Sequence, residues 1–243
     1  MLIVLKLIKL ELERNNLKSY IIGGCLITLS ILGLVYLFAA VPHIDPSDPD
    51  VGIFLTYNGI STLALIILAA CFTILASVMY NKLVIAEYTS KKIYLLFSYP
   101  IKKERILAAK LITVFAFTVI SAIISGIVIF SVFFLSEGIF QLCEDTLTMQ
   151  VILRVAILLL LSAVISAALA TISLWFGYWK KSATVTMVVG VIIASVFGSI
   201  ASEIFLAQGS MQLVFVSIIT IVTVFLAIFL IMRVSKQIKN TDV

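Results

Sequence analysis

Apolar residues run through the chain in six long blocks separated by short polar segments, and this alternation dominates every other pattern. The blocks cover residues 19–41, 56–80, 106–135, 151–175, 183–202 and 211–232. A helix needs about 20 predominantly apolar residues to cross the ~30 Å hydrocarbon core of a bilayer, so each block predicts a membrane span. The blocks are apolar on all faces and lack a period of two, which favours helices over barrel strands. The expected fold is an all-α integral membrane domain with six transmembrane helices, occupying residues 1–243 as one unit.

Two polar segments keep a helical period. Within residues 1–18, Leu5, Ile8 and Leu12 share one helical face while Lys6, Lys9 and Glu13 share another. That pattern predicts an amphipathic helix lying along the membrane interface. Residues 81–105 are too polar to span and too apolar for a plain solvated loop. There Val84, Tyr88, Leu95 and Leu96 alternate with Glu87, Lys91 and Lys92. Pro100 should end what precedes it and open the third span, with Lys110 snorkelling back to the interface. The connection 42–57 is rich in Pro and Asp, holds the single histidine His43, and reads as an exposed turn segment.

Composition agrees with a membrane protein: 63% of residues are apolar and 12% are charged, against about 25% charged in soluble domains. A water-soluble enzyme, a disordered segment and a nucleic-acid-binding domain are excluded. The net charge of +5 follows from placement, because sixteen of the 17 basic residues fall on one side of a six-span topology. Arg154 alone lies on the other side, with Asp45, Asp48, Asp50, Glu137, Glu144, Asp145 and Glu203. The positive-inside rule then predicts that both termini are cytoplasmic. Tyr80, Trp175, Tyr178 and Trp179 are expected as anchors at the cytoplasmic interface. Three cysteines, two of them inside apolar blocks, make no disulfide framework. Glu11, Glu13 and the length of the first apolar block argue against a cleaved signal.

No ionisable residue lies near the middle of a span, which argues against a proton-coupled antiporter or a cation channel. The spans as read contain no proline, which argues against the broken helices of secondary transporters. No H-E-x-x-H, G-x-S-x-G or G-x-x-x-x-G-K-[ST] occurs, so neither catalysis nor ATP binding is expected in this chain. Small residues recur four apart in the fourth block (Ser162, Ser166, Ala170) and in the fifth (Gly190, Ala194, Gly198, Ser202). Such stripes let helices approach closely, either within one chain or at a dimer seam or substrate wall.

The stretch from Glu87 to Lys110 resembles the first cytoplasmic loop of ABC-2 type permeases, the membrane subunits of one class of ABC exporter. The matching positions are Glu87, Leu95-Leu96, Ser98-Tyr99-Pro100, Lys102-Lys103, Ile106 and Lys110. Tyr88 stands where the family often has Arg, and Thr89-Ser90-Lys91 replaces a Gly-Thr turn. The resemblance implies a coupling helix in this loop, seated on a separate ABC ATPase through Glu87, Lys91, Lys92, Tyr94, Leu95, Leu96, Tyr99 and Pro100. It implies a smaller contact through Trp179 and Lys180 in the next cytoplasmic connection. ATP and Mg would then be bound by the partner, with no cofactor in this chain. Two ATPases and a second permease, as homodimer or heterodimer, complete the implied assembly in a bacterial cell membrane. The wording Phe97-Ser98-Tyr99-Pro100-Ile101 resembles a Gram-positive branch that exports antimicrobial or cytolytic peptides, phenol-soluble modulin exporters among them. The implied cargo is an amphipathic peptide or hydrophobic compound. A stand-alone secondary transporter and a non-transporting scaffold are the alternative readings.

Overall fold

The computed structural model describes residues 7, 17–44, 54–86, 103–140, 143, 145–205 and 210–240. Among them, six long helices account for nearly everything: α1 (Lys18–Ile44), α2 (Tyr57–Tyr80), α3 (Lys103–Phe140), α4 (Met149–Trp179), α5 (Ala183–Phe205) and α6 (Ser210–Asn240). All six are long and apolar enough to cross a membrane, with mean hydropathy from 2.2 to 3.0 over their most apolar windows. The helix expected over residues 1–18 lies almost wholly outside the described residues.

Every helix but α2 outlasts its apolar block, since backbone hydrogen bonding continues into polar residues that water can solvate. At 1.5 Å per residue, the 38 residues of α3 extend about 57 Å, well past the hydrocarbon. The Thr56 hydroxyl accepts from the Gly59 amide at 3.1 Å and caps the start of α2. One boundary corrects the sequence reading. Pro42, expected in a loop, is buried in the last turn of α1. There its missing N–H forfeits a single bond near the helix end, which is far cheaper than a mid-span proline.

α2 and α4 form the centre. Over their most apolar stretches 56% and 67% of residues are buried, against 17% for α1 and α5 and 11% for α6. α2 packs on α1, α3, α4 and α5, and α4 packs on α2, α3, α5 and α6. Hydroxyls stitch the central pair: Ser77 and Ser173 meet at 2.8 Å and Tyr80 reaches Thr171 at 3.1 Å. Tyr80 is therefore a buried member of the core and not the interfacial anchor its position suggested. Its hydroxyl finds a protein partner inside, so it has no need of the interface.

Candidate functional site

At its end α2 runs directly into a π-turn, Asn81–Ile85, closed by the Ala86 amide bonding to the Asn81 carbonyl. Such turns widen the helix by one residue and mark functional positions. The turn buries Leu83, Val84 and Ile85 in one apolar cluster with Leu107 and Leu111 of α3, Leu174 of α4 and Val234 of α6. Lys110 enters this cluster from α3. It is 1% exposed and donates from Nζ to the Leu83 carbonyl at 3.0 Å. Snorkelling does not occur, because an acceptor lies within reach inside. A buried ammonium is tolerated where a charge-assisted bond offsets its desolvation. In the same turn, Asn81 Oδ1 is buried and finds no hydrogen bond among the described residues.

One internal bond thus ties the π-turn that follows α2 to the first turns of α3. Glu87, Lys91, Lys92, Tyr94, Leu95, Leu96, Tyr99 and Pro100 lie outside the described residues.

The connection between α4 and α5 is a compact turn at the same pole. The Lys181 amide bonds to the Tyr178 carbonyl at 3.2 Å and the Ser182 amide to the Gly177 carbonyl at 3.1 Å. These two bonds make a Schellman cap, and Lys181 takes the left-handed position with φ of 49°. Thr186 occupies the space where a side chain at residue 177 would sit, so only glycine fits there. Trp179 is 56% exposed; it stacks on Trp175 at 5.7 Å and carries Lys180 Nζ 4.8 Å from its ring centre. Trp179 and Lys180 therefore form a rigid cation–aromatic patch on the outside of the turn.

The small-residue stripes divide. On α5, Gly190 faces Ser77 so closely that no Cβ fits, and Ala194 is also buried. One turn further Gly198 has open space around it, and Ser202 is exposed. On α4, Ser162 and Ser166 are both buried and return their hydroxyls to Leu159 and Ala163. Ser162 also lines a cavity of about 50 Å³ with Thr62, Leu158, Phe197, Gln212 and Val216. The cavity has space for a solvent molecule or two and is far too small for a peptide.

The wall of that cavity includes part of a relay the sequence reading missed. Arg154 donates to Gln212 Oε1 at 2.6 Å, and Gln212 donates to Thr62 Oγ1 at 3.0 Å, joining α4, α6 and α2. The signal was a lone Gln at the head of an apolar block, its second residue. At the same pole, Glu137 is buried and accepts from the Cys143 amide at 2.5 Å. Its second oxygen finds no hydrogen bond among the described residues. Burial, with the Glu137 charge and its side-chain hydrogen bond and Asp145 adding to it, pushes the Cys143 thiol up to about 12. No group of three or more metal-ligating side chains occurs among the described residues.

Six described helices, each long and apolar enough to cross a bilayer, define a multi-pass membrane protein. Residues 51–239 match the model of the ABC-2 family transporter proteins, and the chain belongs to that family. It is similar to the uncharacterized protein YcbO of Bacillus subtilis (strain 168), with 27% identity over 195 residues, covering 80% of this chain and 84% of that one. No solved structure matches the chain. Membership makes the chain the non-catalytic membrane subunit of an ABC transporter and implies a separate ABC ATPase as its partner.

Proposed function

We propose that this chain is the permease subunit of an ATP-driven exporter in a bacterial plasma membrane, with both termini and the 81–105 loop cytoplasmic. The observation that carries the reading is the Lys110–Leu83 bond, which joins both roots of that loop inside the bundle. A push on the loop would then move α2 and α3 together. The ATPase docks on residues 87–100, with Trp179 and Lys180 as a second contact.

Because α2 and α4 fill the centre of the unit, the substrate path runs between two permease chains. The cargo is an amphipathic peptide or hydrophobic compound, in keeping with spans free of ionisable groups at mid-depth. The peptide exporters of Gram-positive bacteria are the functional model.

The test is purification of the full-length chain from its native membrane, with MgATP hydrolysis measured in the eluate. Leu95→Glu and Leu96→Glu should each abolish the associated ATPase activity and leave the permease monodisperse. Full retention of activity in both variants would overturn the docking assignment. Peptide cargo is checked separately: amphipathic peptides should change the hydrolysis rate of the reconstituted complex and the resistance of the host. Indifference in both measurements would remove peptides as cargo while leaving the docking result intact.

A further inference from the structure

A groove of about 680 Å³ runs between α1 and α3, from Tyr20 to Leu32 on one helix and from Thr113 to Val128 on the other. Along α1 that is roughly 18 Å at 1.5 Å per residue, slightly more than one leaflet of a ~30 Å core. Its rims, including Ile21, Leu29, Ile120 and Ile124, are exposed, so the groove opens sideways to the hydrocarbon. The polar groups within it are already engaged. Thr28 and Ser125 bond each other at 2.7 Å, Ser121 bonds the Phe117 carbonyl at 2.6 Å and Thr113 bonds the Ala109 carbonyl at 2.8 Å. Beside the α1 backbone the space is open, since a Cβ at Gly24 would meet no atom within 4 Å.

Cations sit at one end. Tyr20 closes the groove at the basic pole, with Lys82 Nζ 5.8 Å over its ring, and the exposed Lys18 lies two residues earlier. We propose that this groove binds one acyl chain of an anionic glycerophospholipid, whose phosphate rests between Lys18 and Lys82. An apolar slot of one-leaflet depth with cations at its headgroup end matches that ligand in length, polarity and charge. The inference is independent of transport; with the orientation proposed above, the groove lies in the cytoplasmic leaflet.

The test uses the full-length chain in its native assembly, delipidated in mild detergent and titrated with dioleoyl-phosphatidylglycerol or dioleoyl-phosphatidylcholine. Binding is read by native mass spectrometry. The anionic lipid should bind more tightly, and K18Q/K82Q should weaken it roughly tenfold or more while leaving the zwitterionic lipid unchanged. Gly24→Leu places a side chain in the open groove and should lower occupancy by both lipids. Cys25→Leu serves the same purpose if the first variant is not monodisperse. Equal binding of the two lipids by the unmodified chain would overturn the proposal. So would unchanged occupancy in the groove-filling variants. A change of oligomeric state in those variants with lipid retained would assign the groove to a second chain instead.

Discussion

The Lys110 ammonium lies 3.0 Å from the Leu83 carbonyl oxygen, on the far side of a connection of more than twenty residues. The lysine belongs to α3 and the carbonyl to the π-turn that ends α2, so the bond closes the base of the loop within the apolar cluster. Lys110→Met keeps the length of the side chain and removes the donor. The buried carbonyl then loses its charged partner, at a cost of about 1–3 kcal/mol. A lower thermal midpoint of the purified chain in detergent checks this. In the assembled complex the same variant should hydrolyse ATP with weaker coupling to transport, because α2 and α3 would no longer move as one.

Gly190 and Ser77 hold α5 against α2. A Cβ at residue 190 would overlap both the hydroxyl and the Cβ of Ser77, so Gly190→Ala forces the helices apart and costs about 1–3 kcal/mol. Gly198→Ala meets nothing and should be neutral or slightly stabilising. Thermal unfolding of the two variants side by side should separate them, and adding Ser77→Gly to Gly190→Ala should restore part of the loss.

Lys181 occupies a left-handed position that glycine accepts at no steric cost. Lys181→Gly should therefore stabilise the chain by about 1 kcal/mol. Gly177→Ala at the other end of the same cap should do the reverse, because Thr186 already fills that space. If the turn touches the ATPase mainly through Trp179 and Lys180, Lys181→Gly should raise the thermal midpoint without lowering associated ATPase activity.

Cys143 carries a pH signature. Its thiol is held up to about 12, first by burial and then by Glu137 and Asp145. The folded state thus favours the protonated thiol. That contribution is complete below pH 9 and is lost as pH rises toward 12. In a C25S/C71S background, labelling by a maleimide at pH 9 should be slow, since the thiolate is the reactive form. Glu137→Gln removes one of the charges and should speed labelling several-fold, as measured by the mass gain over time.

Much of the fold was legible because a bilayer imposes one rule on every span. Backbone groups must be satisfied within the segment, so length and polarity suffice to find the helices. The coupling residues of the loop were legible only through resemblance, and the described residues do not include them. Gln212 illustrates what was hidden. A single amide at the head of an apolar block looks like a boundary residue until Arg154 and Thr62 are brought to it from positions 58 and 150 residues away. Lys110 was misjudged for a related reason. Its distance from the interface can be read from the sequence, whereas a carbonyl presented by a π-turn cannot.

The sequence by itself determined six apolar spans, the segregation of charge to one pole and the absence of catalytic or nucleotide-binding motifs. Hydropathy and charge act residue by residue, and no partner need be known to read them. Only the tertiary structure decided that α2 and α4 form the centre, that Gly190 packs inward while Gly198 stays open, and that Tyr80 and Lys110 turn inside. Those outcomes depend on which faces of nearly uniform helices meet. In spans apolar on every side, the choice is made by close packing of small residues and by a few hydroxyl and carbonyl partners. One-dimensional periodicity does not record these.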